Sequence, residues 1–251
     1  MPHRQHLLLL LLLLCVFARC CCLELCNLTI CLNVPHLGCD NDLTFHGSCR
    51  RHRRLVNMQN YQQYLLKIHN KYREQLAAGR VLGVLPARRM PELVWHSGLA
   101  LLAEYHVKRC LQHLRNYCNA LPGLPTPPAV NYGQSLLNLS DVDDYKPCPN
   151  SEQITMLAEQ WLHRLHLLAT AADIAELQNI VYDRNSHLGC AAAEDYDRNV
   201  SRFVLVCYLE HQYAGSLKRL YRTGNFSASN CALGRSQTYA HLCQTTADIL
   251  S

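Results

Sequence analysis

The chain has 251 residues, 15 of them cysteine, with 49 % hydrophobic residues and a formal net charge of +5. A hydrophobic share of that size fits a globular core and excludes general disorder. The length suits one full-sized domain with short appendages, and the charge excess, part of it from Arg4 and Arg19, is too weak for a nucleic-acid binder.

Residues 7–14 are consecutive leucines, extended by Cys15, Val16, Phe17 and Ala18, with Arg4 before the run and Arg19 after it. The run is far short of the roughly 20 apolar residues a membrane helix needs. It reads as a signal peptide over 1–22, so the chain is expected to be secreted and extracellular, with no stable membrane insertion. Cys15, Cys20, Cys21 and Cys22 belong to or border that leader. The remaining cysteines suit an oxidising compartment, where disulfides persist. Four Asn-x-Ser/Thr triplets, at Asn27, Asn138, Asn199 and Asn225, are candidate glycosylation sites. Outside the leader no CxxC is joined to a second CxxC or to a paired histidine, which excludes zinc ribbons and fingers.

Residues 23–54 carry Cys26, Cys31, Cys39 and Cys49 with little periodicity and read as a stapled, loop-rich segment. Arg50-Arg51-His52-Arg53-Arg54 closes it. A solvated basic linker is the plain reading; a processing site or a heparin-like contact is the sharper one. Tyr61, Tyr64, Leu65, Ile68, Tyr72 and Leu76 recur at helical spacing, with Gly79 to end the helix. A second helix is predicted over 92–110, with Trp95, Leu99, Leu102, Ala103, His106 and Cys110 on one face. The proline-rich stretch 121–130 reads as a loop. A third helix is predicted over 152–168, burying Ile154, Leu157, Ala158, Trp161, Leu165 and Leu168. Residues 200–209 alternate with both faces apolar, the mark of a strand covered on both sides, and 188–193 is a second strand candidate. Three helices and a two-sided sheet make a layered α/β fold. The tail from 216 carries Cys231 and Cys243 and reads as a short stapled extension.

An ordered set of motifs runs through these elements. His69-Asn70-Lys71-Tyr72-Arg73 lies on the first helix, Ala-Arg-Arg-Met-Pro-Glu-Leu-Val-Trp spans 87–95, and Gly133-Gln134-Ser135-Leu136 follows. Trp161, Val181-Tyr182 and Leu188-Gly189-Cys190 complete it. Together they resemble the CAP superfamily (cysteine-rich secretory proteins, antigen 5 and pathogenesis-related proteins), in the insect venom-allergen antigen-5-like branch. The resemblance covers residues 26 to about 245. It implies an α+β fold, a three-layer α/β/α sandwich over 55–215. It also implies the bridges Cys26–Cys39, Cys31–Cys118, Cys49–Cys110, Cys190–Cys207 and Cys231–Cys243, and leaves Cys148 unassigned.

Many members of that family carry a pocket of two histidines and two acids. By resemblance its positions here are His113, Gln134, Arg164 and Glu176, with His113 one residue closer to its preceding cysteine than in the family pattern. One imidazole, one amide, one guanidinium and one carboxylate make no metal site, so neither metal nor cofactor is expected. General-base work would also need a partner with a tuned pKa. His163 and His166 could share a helix face, but a solvated face explains them more simply. His106 reads as a satisfied core histidine and His69 as structural. No GxSxG, HExxH, GxGxxG or P-loop pattern is present. The expectation is a secreted, non-enzymatic factor with an extracellular protein partner, in a reproductive (seminal-fluid) setting by family analogy. A lipid or sterol carrier is the alternative, and a metal-dependent hydrolase ranks last.

Overall fold

The computed structural model describes residues 25–110, 112–114, 116–138, 149–168, 174–197, 200–215 and 220–246. The leader, Cys148 and Asn199 lie outside them. The elements run β1 (Arg54–Leu55), α1 (Gln62–Ala77), β2 (Ala87–Arg89), β3 (Val94–Trp95), α2 (Ser97–Arg109), β4 (Ala129–Asn138), α3 (Asn150–Leu162), α4 (Ala175–Val181), β5 (His187–Asp197), β6 (Val200–Leu209) and β7 (Arg222–Thr223). The main sheet has the order β1-β5-β6-β4, all antiparallel, with β3 added parallel to β5; β2 and β7 form a separate pair.

Strand alternation builds the layers. On β6, Phe203, Leu205, Cys207 and Leu209 enter one core with residues of α1, α3 and α4. Val204, Val206 and Tyr208 enter a second core with Leu99, Leu102 and Ala103 of α2. A strand apolar on both faces can only be central, and helices cover both of its sides. The result is the three-layer α/β/α sandwich of an α+β domain.

Two cystine-free contacts set how closely the layers approach. Gly189 on β5 lies under α2, and a Cβ there would sit 2.2 Å from the Ala100 nitrogen and 2.5 Å from the Leu99 carbonyl carbon. Helix backbone therefore rests directly on strand backbone. On the opposite side, Gly133 of β4 admits Trp161, whose ring would be 3.2 Å from an added Cβ.

Five disulfides join described residues: Cys26–Cys39, Cys31–Cys118, Cys49–Cys110, Cys190–Cys207 and Cys231–Cys243. The second and third tie the N-terminal segment to the end of α2 and the connection after it. Cys190 and Cys207 are direct register partners across β5 and β6. The tail is docked rather than loose. The Cys243 N–H donates to the Met90 carbonyl at 2.8 Å, and its carbonyl accepts from Glu92 N–H at 2.9 Å. The Ser236 hydroxyl donates to the Glu92 carboxylate at 2.5 Å.

Several sequence expectations need correction. The second helix starts at Ser97, not at residue 92, because Val94 and Trp95 pair in parallel with His187 and Leu188. The His96 ring then caps it, its Nδ1 accepting from Leu99 N–H at 3.2 Å. The third helix begins at Asn150 and ends at Leu162; a 3-10 turn, His163–Leu167, follows it. Part of the supposed loop, from Ala129, belongs to the ten-residue strand β4. Tyr64 is 38 % exposed rather than part of the core stripe, its hydroxyl 2.7 Å from that of Thr155.

Candidate functional site

The motif His69-Asn70-Lys71-Tyr72-Arg73 presents three polar side chains to the interior of α1. Asn70 pairs with the Leu93 main chain in both directions, donating to its carbonyl at 2.9 Å and accepting from its N–H at 2.8 Å. Arg73 is fully buried. Its guanidinium donates to the carbonyls of Pro91 (3.0 and 2.6 Å), Ile180 (2.5 Å), Tyr182 (3.2 Å) and Asn185 (2.8 Å). Burial pulls its pKa down to about 9, against the opposing pull of Asp183 and Glu210. It fastens α1 to the segments that lead into β3 and β5.

His69 is also fully buried, beside Trp161. Its Nδ1 lies 2.8 Å from the Leu65 carbonyl, so that nitrogen carries the proton, while Nε2 is buried without a partner. Burial lowers its pKa to about 4, outweighing the stabilising bond to Leu65, and the nearby Arg73 lowers it further. In the unfolded chain it titrates near 6.5. The unfolded state therefore binds the extra proton between these values, and stability falls as pH drops from about 6.5 to about 4. The expected loss from this residue is about 3 kcal/mol, read from urea titrations at successive pH values. His69→Gln should flatten that part of the profile; an unchanged slope would place the titration elsewhere.

Past α4 the chain builds a further polar cluster. Glu210, directly after β6, is 5 % exposed, and one of its oxygens, Oε2, accepts from Ser186 N–H (2.7 Å), Ser186 Oγ (2.9 Å) and His187 N–H (2.9 Å). The His187 Nδ1 lies 3.4 Å from the same oxygen and 2.9 Å from Ser186 Oγ. Burial raises the Glu210 pKa, but the bonds from His187 and Ser186 outweigh it and hold the carboxyl below its usual value. His96 meets His187 edge-on at 5.6 Å, and burial, with His187, lowers its pKa.

Serine, histidine and carboxylate invite a nucleophilic reading, but the geometry does not relay a proton. A working triad places the carboxylate on one ring nitrogen and the serine on the other. Here both approach Nδ1, and Nε2 of His187 is buried without a partner. The cluster fixes the start of β5 against the end of β6. Sequence reading missed it because Glu210 and His187 become neighbours only through the register Leu188↔Leu209.

The four positions assigned to the family pocket fall on different elements. His113 is exposed on the connection after α2. Gln134 lies on β4; since Gly133 faces Trp161, it projects toward the α2 side, where the Tyr132 hydroxyl donates to its Oε1 at 3.0 Å. Arg164 is exposed in the turn after α3. Glu176 is half-buried in the first turn of α4, and its carbonyl accepts from the Asn131 amide at 3.0 Å. His163 and His166 are both exposed, joined only through a 3.1 Å contact between the His166 ring and the His163 carbonyl. His106 is buried, its Nδ1 3.0 Å from the Tyr208 hydroxyl. Among the described residues, the one close trio of metal-type ligands is Cys26, Cys39 and Asp40. Two of its three sulfur and oxygen donors are consumed by a disulfide, so it offers a cation a single carboxylate.

The family described as the cysteine-rich secretory protein family, CAP, matches residues 66–209, more than half of the chain. The chain belongs to the CAP family. Within it, Venom allergen-1 of Aedes aegypti is 23 % identical over 236 residues, covering 89 % of this chain and 88 % of that protein. The antigen 5 like allergen Cul n 1 of Culicoides nubeculosus is 29 % identical over 172 residues, covering 63 % and 73 % respectively. These relatives place the CAP chain in the antigen-5-like branch. The solved structure of Na-ASP-1 shares the fold with a TM-score of 0.54 at 17 % identity, over 76 % of this chain and 47 % of that one. The CAP chain thus spans about half of the Na-ASP-1 chain. Among its described residues no helix is long and apolar enough to cross a membrane.

Proposed function

We propose that this CAP chain is exported and acts outside the cell as a non-enzymatic interaction or signalling factor, with another extracellular protein as its partner and reproduction, in seminal fluid, as its setting. The observation that carries the reading is a contrast within one molecule. Five disulfides join the described residues, while the positions assigned by resemblance to the family pocket are His113, Gln134, Arg164 and Glu176, which supply one imidazole and one carboxylate. The frame needs an oxidising compartment to form. Asn27 and Asn225, both exposed, are open to glycan addition in that compartment; the Asn138 side chain lies outside the described residues. Affinity capture from native extracellular fluid, using the purified, disulfide-intact chain as bait, tests the reading. Recovery of one protein at a fixed ratio is the expected result. A purified chain that turns over a substrate, with the activity abolished in His113→Ala, would contradict it.

A cleft of about 490 Å³ supports a second reading, carriage of a lipid or sterol. Leu55, Val56, Met58, Trp95 and Leu101 give it an apolar wall, facing a rim that includes Gln59, Gln62 and Glu104, and its volume is in the range of small-ligand sites. Mass spectrometry of an organic extract decides between them: a stoichiometric lipid favours carriage, and an empty extract removes it.

A further inference from the structure

Sequence and structure meet at the N-terminal edge of the sheet. Arg51-His52-Arg53-Arg54 precedes Leu55, four residues of which three are arginine. Residues 50–54 are all exposed, and none belongs to any core cluster. The Arg54 side chain is 67 % exposed. Arg54 and Leu55 form the two-residue strand β1, which pairs only with β5 and leaves its other edge open. An extended segment with a free edge is the form in which a protease takes a peptide, by adding it as a strand. We propose that the Arg54–Leu55 bond is a processing site for a paired-basic endoprotease, and that the cut product remains one molecule.

The ties that hold residues 51–54 are superficial, while beyond the bond Leu55 packs against the second core and Val56 is buried, its N–H donating to the Ala192 carbonyl at 2.9 Å. Arg54 pairs with Glu194 at 2.6 Å, a contact in solvent reach. The Arg53 guanidinium donates to the carbonyls of Cys49 (3.1 Å) and His46 (3.3 Å). His52 has a left-handed backbone, φ 52°, and stacks on Tyr196 at 4.4 Å. The segment must release these contacts before a protease can take it in extended form. Local opening of this edge must also lift Leu55 and Val56 from the core, so cleavage is slower than in a denatured chain but goes to completion. In the step itself water adds across the amide, leaving a carboxylate on Arg54 and an α-amine on Leu55.

The disulfides decide what the cut produces. Cys26–Cys39 lies wholly on the N-terminal side, whereas Cys31–Cys118 and Cys49–Cys110 span the cut. The N-terminal lobe therefore stays attached by two bridges while losing its main-chain link. The lobe then gains freedom to turn about those bridges. Processing in the cell presupposes the export proposed above, but the site itself is tested on the purified chain, so its failure leaves the export reading standing.

The test is incubation of the native, disulfide-intact chain with a calcium-dependent, paired-basic-specific subtilisin-like endoprotease. The expected result is two fragments after reduction, the larger beginning Leu55-Val56-Asn57-Met58, and a single band without reductant. Arg54→Ala should stay uncut, and Arg51→Ala should be cut at least about tenfold more slowly, a barrier increase worth one decade in rate. A native chain that resists while the reduced, unfolded chain is cut at that bond would overturn the proposal. So would fragments that separate without reductant. Retention on a sulfated polysaccharide by an uncut chain, abolished in Arg50→Ser with Arg51→Ser, would replace it with an anion contact.

Discussion

Arg73→Leu is expected to lose at least about 4 kcal/mol of stability in urea unfolding with the disulfides intact, because four carbonyls, three of them buried, lose a charged donor at once. Those carbonyls belong to Pro91, Ile180, Tyr182 and Asn185, on two segments that Arg73 joins to α1. Leucine fills part of the volume of the fully buried side chain but donates nothing. Arg73→Lys keeps the charge yet places it at a single point, and it should lose about 2–3 kcal/mol, since an ammonium cannot reach four carbonyls with a planar fork. A loss below about 1 kcal/mol for Arg73→Leu would show that the hub contributes no more than an ordinary surface bond.

Gly189→Ala is the second large effect, an expected loss of about 4 kcal/mol. The added methyl would lie 2.2 Å from the Ala100 nitrogen and 2.5 Å from the Leu99 carbonyl carbon. Both neighbours are helix backbone, which cannot swing aside as a flexible side chain can. The whole of α2 must lift, opening the core formed by Leu99, Leu102, Ala103, Val204, Val206 and Tyr208. Overpacking of this kind usually costs about 1–3 kcal/mol, and rigid surroundings on both sides put this site at or above the top of that range. The α2 N-terminus should also lose amide protection before α1 does, which hydrogen exchange would read. Equal loss of protection across both layers would mean that the contact is not local.

The two-sided sheet was legible because β6 carries its message in each residue. Phe203, Leu205 and Cys207 face one layer and Val204, Val206 and Tyr208 the other, as the alternation required. β4 was not legible for a physical reason. On its covered face it carries Asn131 and Gly133 in place of apolar bulk, since Asn131 serves α4 through hydrogen bonds and Gly133 yields its volume to Trp161. The seven residues of α4 were too few to show a period. Trp95 misled the reading of the second helix: its spacing to Leu99 is helical, but strand pairing with Leu188 overrides it. The polar interior of α1 has a similar cause. His69 falls on the apolar stripe, four residues after Leu65, but Arg73 lies at its margin and Asn70 off it, and only their partners, up to 112 residues distant, explain why those two are buried. The family motif pointed to these residues; hydrophobic periodicity could not.

The pocket was legible only as a list of positions. Composition shows that Gln134 and Arg164 cannot serve as the acids of a metal or proton-transfer site. That Gln134 faces Tyr132 on the α2 side, while Glu176 opens a helix of the other layer, depends on which residue of β4 faces Trp161. Sequence spacing does not hold that information.

The central proposal is a CAP scaffold whose positions assigned by resemblance to the family pocket do not converge on one ligand set, and calorimetric titration of the intact chain with zinc tests it most directly. The expected result is no saturable site tighter than about 10 μM, the level at which a binding free energy near 7 kcal/mol would already require several converging ligands. One zinc per chain bound more tightly than that, and lost in either His113→Ala or Glu176→Ala, would contradict it.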